Sequence, residues 1–154
     1  MVSFGNRLYP NGRKNVLQGN FDVGGSSKVA LVSASYDPQG NDEFYNTAIA
    51  SPGYEVATAI LTGQSITADT NLVGCQGCAT FIANDITFTG IVAEQVVDKI
   101  VIYKNGTSGV DDYVLAYIES GSAGNPINIV TNGEDITITW NMIEIPGQKS
   151  ILSI

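Results

Sequence analysis

The chain has no histidine. That removes Ser-His-Asp and Cys-His nucleophile systems, imidazole acid–base work and most catalytic zinc sites. Carboxylates alone remain for catalysis. A glycosidase-type pair needs two acids flanking a cleft, and none of the 15 acids stands in such a setting. Asp42-Glu43 and Asp111-Asp112 read as solvated turn charge, and no enzyme is expected. Cysteine is scarce too: Cys75 and Cys78, in CQGC, are the whole supply. Structural zinc wants four ligands, and a redox CxxC wants a helix N-terminus in a thioredoxin-like βαβ unit. Reduced loop thiols are the expectation. The acidic turn at residues 37–43 does not match the spaced calcium loop. Gly24-Gly25-Ser26-Ser27-Lys28 leads into a strand pattern, so it offers no helix N-terminus to a phosphate. No cofactor or metal is expected.

Charge is also sparse, at 14% of residues, against about 25% in an average globular protein. The formal net charge is −8, which argues against nucleic acid as a partner. No apolar run approaches the ~18–20 residues of a membrane span. The opening MVSFGNRLYPNG lacks the apolar middle of a signal peptide, so a protein made and kept in a cytoplasm is expected. Three of the seven bases, Arg7, Arg13 and Lys14, precede the first acid, Asp22. A bland reading is a solvated segment. The sharper one is an arm, residues 1–20, whose bases dock on an acidic partner while Phe4, Leu8 and Tyr9 anchor the contact. On that reading, removing residues 1–14 leaves a folded domain.

What is present is period-2 alternation rich in β-branched and aromatic residues. Strands are expected at 29–33, 55–61, 85–92, 96–103, 113–119, 127–131, 135–140 and 150–154. DITITW is the clearest: Ile136, Ile138 and Trp140 share one face, Thr137 and Thr139 the other. DITFT repeats it, with Ile86 and Phe88 inward. VVDKIVIY is apolar enough to be covered on both faces. Turn clusters separate the strands, with tight turns expected at Asn105-Gly106 and Asn132-Gly133. A short helix over Asn11–Gly19 turns Val16 and Leu17 inward and closes on Gly19. Residues 62–80 form the longest irregular stretch. Tyr103 and Trp140 lie in strand patterns and are expected in the core or an interface. The fold class is all-β: an antiparallel β-sandwich or jelly roll of about eight strands, over residues 21–154.

The order of these segments has a further meaning. NGRKNVLQGNFD precedes SKVALVSASYDP, and EVATAILTGQSIT precedes DITFTG. VVDKIVIYKNG, YVLAYIES, INIVTNGEDITITW and KSILSI follow. The series resembles a family of small structural proteins of tailed bacteriophages, in which G-R-x-x-x-L-x-G leads to K-V-A-L, A-I-V-I-Y-K, L-I-A-Y-I and N-G-G-D-I-T-I-x-W. The likeness covers nearly the whole chain and is strongest from Val96 to Trp140. The chain departs from the pattern at the Cys-containing stretch 62–80, and at Asn132-Gly133-Glu134-Asp135 in place of N-G-G-D. The resemblance implies a capsid cement or decoration protein on the virion surface, a homotrimer bound to the major capsid protein. A neck, tail or fibre-base protein is the alternative within virions, and a carbohydrate-binding jelly roll the alternative outside that class.

Overall fold

The computed structural model describes residues 7–22, 25–68, 79–120, 125–140 and 150–153. Phe4, Gly24, Cys75 and Cys78 lie outside them. All-β architecture is what the chain adopts, and every strand pairing is antiparallel. The main sheet runs β1 (Arg7–Leu8), β8 (Val114–Ile118), β7 (Val96–Lys104), β2 (Ser27–Ser33), β3 (Glu55–Ile60). β9 (Ile129–Val130) pairs with the start of β7. Across one face lie two smaller sheets. One joins β6 (Ile86–Phe88) to β10 (Ile136–Ile138), and the other orders β11 (Ser150–Ser153), β5 (Ala79–Ile82), β4 (Ser65–Ala68). The eight expected strands are all there. β1, β4 and β5 are additions, and the last two correct the expectation that 62–80 is irregular throughout.

The alternation that predicts the strands also sorts the core. Val29, Leu31, Ile100 and Ile102 face the smaller sheets and meet Phe81, Ile86, Phe88 and Trp140. Ala30, Val32, Val101 and Tyr103 face the other way. Ile136 and Ile138 are half-buried against the first cluster, while Thr87 and Thr137 join their hydroxyls at 2.9 Å on the solvent side. Trp140 is buried and its indole N–H donates to the Asn84 carbonyl at 2.8 Å. The second cluster has no sheet above it among the described residues. Tyr9, Tyr36, Tyr45 and Ile49 cover that face. Ile49 comes from a π-helical turn, Asn46–Ala50, that the sequence patterns do not reveal.

Two turn expectations are corrected. Asn132-Gly133 does not close a hairpin, because β9 pairs with β7 and β10 with β6. The segment carries the chain between layers, and Gly133 takes a positive φ of 88° there. Asn105-Gly106 opens a longer β7–β8 loop that ends where the Lys104 N–H meets the Tyr113 carbonyl at 2.9 Å. Inside that loop Asp112 is buried, not solvated. Its carboxylate accepts the backbone N–H groups of Asn46 and Gly109, both at 2.8 Å. It therefore ties the loop to the start of the π-helical turn. Its neighbour Asp111 accepts from the Thr107 N–H and the Lys104 ammonium, which hold its carboxyl below the ordinary range. Asp112→Ala leaves two backbone donors unpaired, so a loss of about 2–4 kcal/mol is expected in urea unfolding. Asp112→Asn keeps one acceptor and is expected to cost less.

The helix α1 (Pro10–Leu17) has Pro at its first position, where a missing N–H costs nothing. It ends in a Schellman cap: Gly19 at φ 74°, its N–H on Val16, and the Asn20 N–H on Asn15. Val16 packs against the core as expected, but Leu17 is 81% exposed, a correction to its inward placement. Where α1 crosses β8, Gly12 is indispensable. A Cβ there falls 2.6 Å from the carbonyl oxygens of Val114 and Leu115. Gly12→Ala therefore tests the crossing by its sign. In an exposed helix the change stabilises by up to ~1 kcal/mol. Here it is expected to destabilise by about 1–3 kcal/mol in urea unfolding, because backbone has to shift.

Candidate functional site: the N-terminal arm and its cleft

The arm is part of the sheet. β7 and β8 shift register between Ile102 and Tyr103, where Ala116 and Val114 are the successive partners. Leu115 is the extra residue, and its carbonyl accepts the Tyr9 N–H at 2.9 Å. Arg7 pairs with Tyr117 and Leu8 with Ala116. From α1, the Asn11 amide reaches the carbonyls of Asn41 and Asp42 at 3.1 and 3.3 Å. Buried Asn15 reaches Glu43 at 3.3 Å. The expectation that residues 1–14 can be removed from an intact body is thereby corrected: they include β1, the first half of α1 and a core tyrosine.

The six residues expected to bind a partner divide sharply. Tyr9 is 1% exposed, so it is a core residue and not a docking anchor. Leu8 is half-buried against the main core. Lys14 pairs with Glu43 at 2.9 Å, and with Asn15 it holds that carboxyl below its ordinary range. Arg7 is exposed and stands opposite Tyr117 in the β1–β8 register. Arg13 is exposed and has no ion-pair partner among the described residues. Phe4 lies outside the described residues.

Arg7, Leu8, Tyr9 and Pro10 form one side of a cleft of about 260 Å³, with Pro38, Gln39, Gly40 and Tyr117 completing it. Polar bonds behind the lining hold Tyr9 and the loop in place. The Tyr36 O–H donates to Asp42 at 2.7 Å, so the Tyr9 O–H donates to Tyr36, also at 2.7 Å. Asp42 further accepts the Gln39 N–H at 2.8 Å, which folds the Pro38–Gly40 loop back toward the arm. Tyr117 meets Tyr9 edge to face at 5.1 Å. The acidic turn is thus spent on internal bonds, and no cluster of three metal-ligating side chains occurs among the described residues. The sequence reading reached Arg7, Leu8 and Tyr9 but missed Tyr117 and the loop. Only the register of β1 on β8 brings them together.

Comparison of the chain with family models, with curated proteins and with solved structures finds no match.

Burial raises the phenols of Tyr9, Tyr36, Tyr45 and Tyr103 above their ordinary value. Tyr45 also donates to Glu55 at 2.6 Å and stacks on Tyr103 at 3.7 Å. A raised folded value means the folded state holds these protons more tightly. Their contribution is complete below the unfolded pKa of about 10 and is lost as pH climbs beyond it. Each phenol contributes a slope of ~1.4 kcal/mol per pH unit. Stability is therefore expected to fall steeply above pH ~10, with tyrosinate absorbance from these four rings rising in step with unfolding by circular dichroism.

Proposed function

We propose that the protein is a structural component of a tailed-phage virion, made in the host cytoplasm, that decorates the outer surface of the major capsid shell as a homotrimer. One observation carries the reading. Three of the segments that carry the family resemblance, SKVALVS, VVDKIVIYK and VLAYI, are the adjoining strands β2, β7 and β8 at the centre of the main sheet, and the last two lie in the stretch where the likeness is strongest. The likeness therefore concerns the part of the chain that defines the fold. The charge supports a protein partner over nucleic acid, since −8 repels a phosphate backbone. Three attachment points on a trimer add avidity to modest contacts, and binding only to the assembled shell stabilises that shell by mass action. A rigid arm suits the role, because docking then costs little ordering.

The neck, tail or fibre-base reading differs in copy number. The sugar-binding reading needs exposed rings. Among the described residues no Tyr, Trp or Phe is exposed, which weighs against it. Quantitative mass spectrometry of purified particles is the test. A copy number that scales with the capsid subunits, together with co-sedimentation of the added protein with bare shells, is expected. A single ring of copies means a neck or tail protein instead.

A further inference from the structure

We infer that Asn132-Gly133 is a site of self-modification, where the Asn132 side chain closes on the Gly133 nitrogen, loses ammonia and ends as aspartate or isoaspartate.

Asn followed by Gly is the pair best suited to this ring closure, because glycine has no Cβ to shield its backbone nitrogen. The chain has three such pairs: Asn11-Gly12, Asn105-Gly106 and Asn132-Gly133. The fold treats them differently. Asn11-Gly12 lies within α1, where the Asn11 amide donates to the carbonyls of Asn41 and Asp42 at 3.1 and 3.3 Å. Gly12 is pressed on β8, with the Val114 and Leu115 carbonyl oxygens 2.6 Å from where a Cβ would stand. Asn105 gives its amide to the Ser26 hydroxyl at 3.0 Å. The Gly106 N–H is spent on the Lys104 carbonyl at 2.9 Å, and the Asp111 carbonyl crowds the same glycine.

Asn132-Gly133 has none of these restraints. Both residues are exposed, and the nearest atom to a Cβ on Gly133 is the Ala93 Cβ at 3.9 Å. The Gly133 N–H has no acceptor among the described residues. The Glu134 N–H donates to Asn132 Oδ1 at 3.1 Å. A donor there polarises the amide carbonyl and stabilises the oxyanion that forms on it. The Asn132 Nδ2 donates in turn to the Glu134 carboxylate at 3.0 Å, which holds the side chain in this pose.

The chemistry needs only water. Hydroxide removes the Gly133 amide proton, and the nitrogen bonds to Asn132 Cγ. The Cγ–Nδ2 bond breaks, and the nitrogen leaves as ammonia with a proton returned from water. Water then opens the succinimide at one carbonyl to give aspartate, or at the other to give isoaspartate. Either product sets a new carboxylate beside Glu134 and Asp135. Isoaspartate also lengthens the backbone between Thr131, which is pinned by Val92 and Gln95, and β10. The extra length falls where the chain crosses between layers.

The test is peptide mapping by mass spectrometry after the folded protein stands in mildly alkaline buffer, beside a sample unfolded in guanidinium chloride. In the folded protein the Asn132 peptide is expected to gain a single mass unit on the order of tenfold faster than the Asn11 and Asn105 peptides. In the unfolded sample the three are expected to react at similar rates, because only the fold tells them apart. Glu134→Gln keeps the backbone N–H and is expected to react as the parent does. The inference is overturned by equal rates at the three pairs in the folded protein, or by an Asn132 that reacts only when unfolded. The same lead for Asn132 in the unfolded sample overturns it too, since the preference then lies in neighbouring residues and not in the fold. Loss of the reaction in Glu134→Gln overturns the part given to the N–H.

Discussion

β2 and β7 are apolar on both faces, and a sheet with two apolar faces must be covered twice. The smaller sheets cover one side with Phe81, Phe88 and Trp140. Among the described residues no strand covers the other side. The chain lays loops and a π-helical turn across it, and loops bring backbone polar groups that need partners. Tyrosine answers both demands. Its ring buries area worth ~1.5–3 kcal/mol, as a phenylalanine does, while its hydroxyl needs a hydrogen-bond partner. Hence Tyr36 ends on Asp42 and Tyr45 on Glu55.

The same demand explains where the acids go. Asp42 binds a phenol and a backbone N–H, Asp112 binds two backbone N–H groups, and Glu43 holds Lys14 and Asn15. Each fastens a loop onto the second face. A turn rich in carboxylates is commonly read as solvated or metal-binding, yet here the acids are acceptors for the protein's own donors. One of the basic residues near the start shares that fate: Lys14 is a clasp on Glu43.

What was legible in the sequence was the strand set, because a two-residue period follows from the pleat itself. Ile136 and Trp140 inward with Thr137 outward needed nothing beyond alternation. What was not legible arises at breaks in that period. One shift lies between Val32 and Ser33, where Lys99 and Val97 are the successive partners, so Asp98 is passed over and Lys99 turns into a buried position. Another, at Leu115, aims a carbonyl at Tyr9. A bulge adds one residue and reverses the faces beyond it, so alternation read through it assigns side chains to the wrong side. The candidate site was half legible for the same reason. Arg7 and Leu8 stand out by charge and polarity, but Tyr117 becomes their neighbour only through pairing across more than a hundred residues of chain.

The bulge at Leu115 also bears on how the arm meets a partner. A tethered, disordered arm pays its ordering entropy at the moment of binding. Here that cost falls at folding instead. The Tyr9 N–H, the Gly12 crossing and the Asn11 and Asn15 amides fix residues 7–20 against β8 and the 41–43 loop. A surface held this way gains affinity from few contacts, because little freedom remains to be lost. It also loses reach: residues 7–20 meet only what fits the shape they already have. Of the bases that looked like a steering arm, Lys14 is a fastening of the fold, and Arg13 is exposed with no ion-pair partner among the described residues.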